Sequence, residues 1–139
     1  MIAENAQDLY NRVQAIPALA ASTGLALGGK TPDPGLTKIP LPAAWVLADA
    51  GKTTQDIRAG RVPTLASVHL GYTVLLFVPY TSQTDLIATQ LPLLETLIST
   101  VTGQTAPSGQ RWFFNDFKLV LVNPDRLGYR ISFLLDSIL

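Results

Sequence analysis

Residues 68–80, VHLGYTVLLFVPY, form an almost unbroken run of apolar, aromatic and β-branched side chains without a formal charge, and the run ends at a Pro. So short an uncharged run reads as a strand covered on both faces, around which the other elements form layers. Gly71 inside it marks a bulge or a close backbone approach.

A strand of this kind needs cover, and the composition says how much the chain has to spare. At 139 residues the chain is the size of one ordinary domain, spanning 1–139, and can bury a core without cross-links. Its charged share of 14% lies well below the ~25% of a typical soluble domain, so a partner is expected to cover part of the apolar surface. Lys plus Arg and Asp plus Glu balance at 10 each. Without a basic cluster the field that draws proteins to phosphate backbones is missing, and sequence-specific nucleic-acid binding is not expected. No apolar run approaches the ~20 residues that span a bilayer, and no basic leader precedes one, so the expectation is a soluble, unprocessed protein off the membrane. The chain has no Cys, which removes disulfides, thiolate metal sites and a Cys nucleophile and is compatible with a reducing cytoplasm.

Ahead of the central run, Ala6, Leu9, Tyr10, Val13 and Ile16 recur every three or four residues with Glu4, Asp8, Asn11 and Arg12 opposite, which predicts an amphipathic helix ended by Pro17. The following PALAASTGLAL is read as a short second helical turn, and residues 28–42, with four Pro, as a loop. AAWVLA, residues 43–48, predicts a strand anchored by Trp45, and the polar stretch 49–66 a long exposed hairpin loop. After the central strand, Thr84 and Asp85 cap a helix with Ile87, Leu91, Leu94, Ile98 and Val101 as its stripe, stopped by Gly103. Pro92 is its misfit: either a kink or a meeting of two shorter helices. RWFFNDFKLVLV and YRISFLLDSIL, separated by NPDRLG, predict an antiparallel hairpin with a six-residue turn. Strict alternation in its first arm places Phe113, Phe117, Leu119 and Leu121 on one face and Trp112, Phe114, Asp116, Lys118 and Val120 on the other. The order predicts an α+β fold: a mostly antiparallel four-stranded sheet with helices packed on one face. Weak alternation along the strands implies a second covering surface on the other face.

Local motifs carry little chemistry. GLALGGKT, residues 24–31, satisfies G-x-x-x-x-G-K-[ST] with Lys30 in the phosphate position, but that logic needs a strand before and a helix after, and Pro32 and Pro34 forbid the helix. WVLAD, residues 45–49, resembles the acidic magnesium strand of such sites, yet only the Pro-rich loop separates the two. A small-molecule or nucleotide-binding domain remains the alternative class, and the ordinary reading of 24–31 is a Gly and Pro loop. His69 is the only His, which excludes multi-His metal sites; with no G-x-S-x-G elbow it reads as a packed or edge-exposed imidazole. Asp33, Asp49 and Asp56 are scattered over loops and lack calcium-loop spacing. Trp45, Trp112, Phe113, Phe114 and Phe117 read as core or subunit contacts before they read as a ligand cavity. No enzyme, cofactor or metal is expected. A regulatory partner protein is a third class, since interaction modules carry little signature.

The whole layout, with the N-terminal helix, the Pro-preceded strand AAWVLADAG, the polar loop, VHLGYTVLLFVPY, the helix DLIATQLPLLETLISTVTG and the closing hairpin, resembles the tail terminator, or tail completion, proteins of long-tailed bacteriophages. It is also similar to other small neck and head-tail connector proteins of these phages. The resemblance implies a structural virion protein: a homo-oligomeric, six-fold ring that caps the tail tube and joins it to the head, with the tail tube protein and a neck protein as partners. It implies a place in the virion tail or neck after assembly in the host bacterial cytoplasm. On exposure and position, subunit contacts are expected at Trp112, Phe114, Asp116 and Lys118, and the tube or neck contact on the loop holding Lys52, Asp56, Arg58 and Arg61.

Overall fold

Helix α1 (Ile2–Gln14) buries Asn5, Ala6, Leu9 and Val13 on the face that the three- and four-residue spacing marks. The computed structural model describes residues 2–25, 40–53 and 68–136, without the side chains of 49–53, 68–70 and 136. Burial of Leu9 or Val13 is worth ~1.5–3 kcal/mol each, whereas the Asp8–Arg12 pair on the same helix is worth a few tenths. Packing therefore holds α1 in place.

A 3₁₀ turn at Pro17–Leu19 buries Leu19. The next residues form a strand and not the expected helical turn: β1 (Thr23–Leu25) pairs in parallel with β2 (Ala43–Thr53). Hydrogen bonds explain the switch. Thr23 Oγ1 donates to the Leu19 carbonyl at 2.6 Å, and the Ala44 amide donates to the Ser22 carbonyl at 3.0 Å, drawing the chain onto the sheet. β2 runs five residues past the predicted AAWVLA and pairs antiparallel with β3 (Val68–Pro79). Their register shifts between Ala48 and Ala50, opposite Tyr72 and Gly71. The bulge beside Gly71 thus takes its extra residue, Asp49, from the facing strand.

The predicted second helix comes in three parts: α2 (Gln83–Asp85), a π-helical segment (Leu86–Gln90) and α3 (Leu91–Val101). Ser82 is the N-cap, its Oγ accepting from the Asp85 amide at 3.1 Å, in place of the expected Thr84 and Asp85. Pro92 sits in the first turn of α3, where its missing N–H costs nothing, so two helical pieces meet at the wide turn ahead of it. That extra width rotates the stripe. Ile87 is 68% exposed and Leu97 takes a core position beside Leu94 and Val101. Gly103, at φ +82, ends the helix as its sequence predicts.

The closing hairpin joins β4 (Arg111–Asn123) to β5 (Arg126–Asp136). Only Pro124 and Asp125 lie between the arms, and the Asp125 carbonyl accepts from the Tyr80 amide at 2.9 Å. The predicted six-residue turn is shorter because Arg126, Leu127 and Gly128 are already paired.

The sheet order is β1-β2-β3-β5-β4, with one parallel edge and antiparallel pairing elsewhere. This is the expected α+β class with a fifth strand added. Rows of paired residues, such as Val46, Val74 and Ile131, join Leu9 and Val13 of α1 and Leu94, Leu97 and Val101 of α3 in one buried cluster. Both helices therefore lie on the same face of the sheet. On the opposite face Gly128 leaves room for Phe77: a Cβ there would stand 2.9 Å from Phe77 Cε1 and from the Leu121 Cβ.

Candidate subunit-contact surface

Two register shifts decide which way β4 presents its side chains. They fall between Phe114 and Asp116 and between Leu119 and Leu121, leaving Asn115 and Val120 as the extra residues. Each shift inverts the alternation that follows it. Trp112, Phe114, Phe117, Leu119 and Val122 therefore pair with Leu135, Phe133, Ile131, Tyr129 and Leu127, the buried face of β5, and stand on the helix side. Asp116 and Lys118 pair with Ser132 and Arg130 on the opposite face. The expectation that Trp112, Phe114, Asp116 and Lys118 share one face is corrected by the bulge at Asn115.

Trp112 is corrected a second time, because it is fully buried and is no contact residue. Its ring meets Tyr72 edge-on, with centroids 5.2 Å apart and planes at 78°. Its Nε1 donates to Asp8 Oδ2 at 2.9 Å, and the same oxygen accepts from Arg12 Nε at 2.9 Å. Arg12 Nη2 also donates to the Thr105 carbonyl at 3.0 Å. One carboxylate thus ties α1 to the start of β4. Tyr72 in turn donates from Oη to the Ile2 carbonyl at 3.2 Å. Burial raises its phenol above the ordinary range, opposed by the neighbouring Asn5 amide, which makes no well-formed hydrogen bond of its own.

Beyond Trp112 the helix layer stops short of β4. Phe114, Phe117, Leu119 and Val122 are 36%, 52%, 46% and 68% exposed, on the face that is buried elsewhere in the sheet. Phe114 stacks on Phe117 at 6.5 Å, and the two rings lean on Phe133 and Tyr129 of β5 at 6.3 and 6.4 Å. The stripe opens at its far end into a groove of about 550 Å³ between Tyr80, Leu119, Val122, Pro124 and Leu127. Burial under this stripe also raises the Tyr129 phenol. At the turn, the Arg126 side chain, 3.2 Å from Asp125, holds that carboxyl below its usual range. Strict period-two reading missed Phe117, Leu119 and Val122 as companions of Phe114, since a bulge has no signature in residue type here.

Of the proposed loop contacts, Lys52 lies in β2, opposite His69 in register, and its side chain is outside the described set. Asp56, Arg58 and Arg61 lie outside the described residues. Of the phosphate-loop pattern, Gly24 and Leu25 belong to β1, and residues 26–31, Lys30 among them, lie outside the described set. Gly24 is directly opposite Trp45, whose ring would lie within 2.6 Å of a Cβ built there at its Cε3 atom. This glycine makes room for an indole. Among the described residues no group of three or more His, Asp or Glu is placed to hold a metal ion, and no helix is long and apolar enough to cross a membrane.

No protein-family model and no curated protein matches the chain. A solved structure does: a chain in the virion of a native gene transfer agent particle, at a TM-score of 0.54 and 15% sequence identity, over 91% of this chain and 89% of that one. At that identity the two chains share a fold, an α+β sheet-and-helix layer that in this chain leaves one edge strand uncovered.

Proposed function

We propose that the chain is a non-enzymatic structural subunit of a phage-type particle, a tail terminator that forms a ring, caps the tail tube and joins it to the head or neck. The observation that carries this reading is the near end-to-end sharing of fold with a component of a gene transfer agent virion. The bare stripe of Phe114, Phe117, Leu119 and Val122 supports it, since a ring subunit must hide apolar surface against its neighbours. A cyclic ring joins two different patches on each subunit, so six copies with the tube on one side and the neck on the other account for a small fold whose work is geometric. Lys52 of β2 together with Asp56, Arg58 and Arg61 is the proposed tube or neck contact, in a virion assembled in the host bacterial cytoplasm. Electron microscopy of the purified protein tests the reading: small rings with a central hole are expected, and isolated monomers at high concentration would defeat it. Reversing charge at Arg58 and Arg61 is expected to leave the ring intact and abolish attachment to tubes.

A further inference from the structure

Among the described residues, six of the nine exposed large apolar side chains belong to β4: Phe113, Phe114, Phe117, Leu119, Val120 and Val122. The four on the helix-side face, Phe114, Phe117, Leu119 and Val122, leave on the order of 400 Å² of apolar surface bare when scaled by their exposures, the size of patch that marks an interaction site. That is roughly half of the ~800 Å² each partner contributes to a stable interface. A strand of 13 residues at the sheet edge would ordinarily invite another strand to add to its backbone. β4 is protected against that. Bulges at Asn115 and Val120 break the regular row of amides and carbonyls, and Asp116 and Lys118 stand between them. Whatever covers β4 therefore meets its side chains and not its edge.

The opposite edge of the sheet supplies the counterpart. β1 is three residues long, too short to template a strand, and ends in Leu25, 37% exposed. Head-to-tail contact in a closed ring joins two different patches, and with β1 and β4 at opposite edges of the sheet, copies that overlap at their edges lay the β1 end of one on the side-chain face of β4 of the next. Resting on the ring reading above, we infer that the apolar stripe of β4 seats, side chain against side chain, on the β1 edge of a second copy of this chain.

Because the chain has no Cys, engineered pairs test this against a clean background. Phe117→Cys and Leu25→Cys, each at an exposed site and each checked for wild-type circular dichroism, are mixed, assembled and oxidised. A disulfide needs Cα atoms within ~7 Å, so the mixture is expected to give covalent dimers at least about tenfold above either variant alone. The double variant in one chain is expected to give a ladder of multimers ending at the ring number. Dimers from Phe117→Cys alone would show the stripe facing itself and overturn the inference. So would an assembled wild-type ring whose mixed variants do not cross-link, and that result would leave the ring reading standing. A wild-type chain that elutes only as a monomer would bring down both.

Discussion

Trp112 and Asp8, 104 positions apart in sequence, are joined by a hydrogen bond of 2.9 Å from the indole Nε1 to a carboxylate oxygen that also receives Arg12. A buried indole has one polar atom to satisfy, and here a charged acceptor on α1 satisfies it. The bond therefore fixes where α1 sits along β4 as well as adding stability.

Removing the acceptor leaves the indole N–H buried and unmet. Asp8→Ala is expected to cost ~1.5–3 kcal/mol in chemical denaturation, the range for hydrogen bonds to charged groups. Asp8→Asn, which keeps an acceptor oxygen, is expected to cost less. Equal losses from the two would show that the carboxylate does not serve the indole.

The stripe on β4 makes the opposite kind of prediction. Phe117→Ser and Val122→Ser, at positions 52% and 68% exposed, are expected to cost the isolated chain no more than ~1 kcal/mol each, the range of a cross-strand aromatic pair. The same variants are expected to shift the assembled species to smaller sizes in light scattering. A stripe that served only the fold would give the reverse pattern.

Alkaline pH probes the core beneath. Burial raises the phenols of Tyr72 and Tyr129 above their ordinary value of 10.0, the Asn5 amide opposing it at Tyr72. The folded chain thus holds these protons more tightly than the unfolded chain. Stability present below pH 10 is lost as pH rises through the folded values. Melting temperature is expected to hold from neutrality to about pH 9 and then fall, and Tyr72→Phe to soften that fall. A variant with an unchanged alkaline limb would remove Tyr72 as its source.

On the far face of the sheet Gly128 tests packing alone. Gly128→Ala would set a Cβ 2.9 Å from both the Leu121 Cβ and the Phe77 ring. With the Leu121 Cβ, which moves only with its strand, on one side and a ring 4% exposed on the other, overpacking is expected to cost ~1–3 kcal/mol in denaturation experiments. A neutral result would mean that Phe77 moves freely off the strand.

These sites also show what residue order conveys. The 68–80 run announces β3 because burial on both faces demands an unbroken apolar sequence, and α1 announces itself because one buried face imposes a 3.6-residue period. β1 is three residues in a Gly- and Ala-rich stretch, and its pairing is decided by hydrogen bonds from β2 that no local pattern records. Ile87 loses its predicted core place to Leu97 because a π turn ahead of Pro92 shifts the helical phase. The aromatic content of β4 is plain in RWFFNDF, whereas the faces of Phe117 and Leu119 depend on one unpaired residue, Asn115.

Asn115 therefore allows a test in which fold and assembly separate. Deleting it leaves Trp112, Phe114, Phe117 and Leu119 at every second position, so regular alternation keeps all four on the helix side with no bulge. The core is expected to survive, with denaturation within ~1 kcal/mol of wild type, because no buried side chain changes face. Deleting Phe113 instead would turn Trp112 outward and is expected to approach the ~3–5 kcal/mol of losing a buried aromatic. What the Asn115 deletion changes is the edge: with one bulge gone, the outer amides and carbonyls fall into a more regular row that a strand from another molecule can join. Such a chain is expected to fold with near-native melting and to form irregular aggregates at concentrations where the parent chain forms discrete assemblies. Discrete assemblies from the deletion variant, indistinguishable by microscopy from those of the parent, would show that the Asn115 bulge shapes the faces of β4 without guarding its edge.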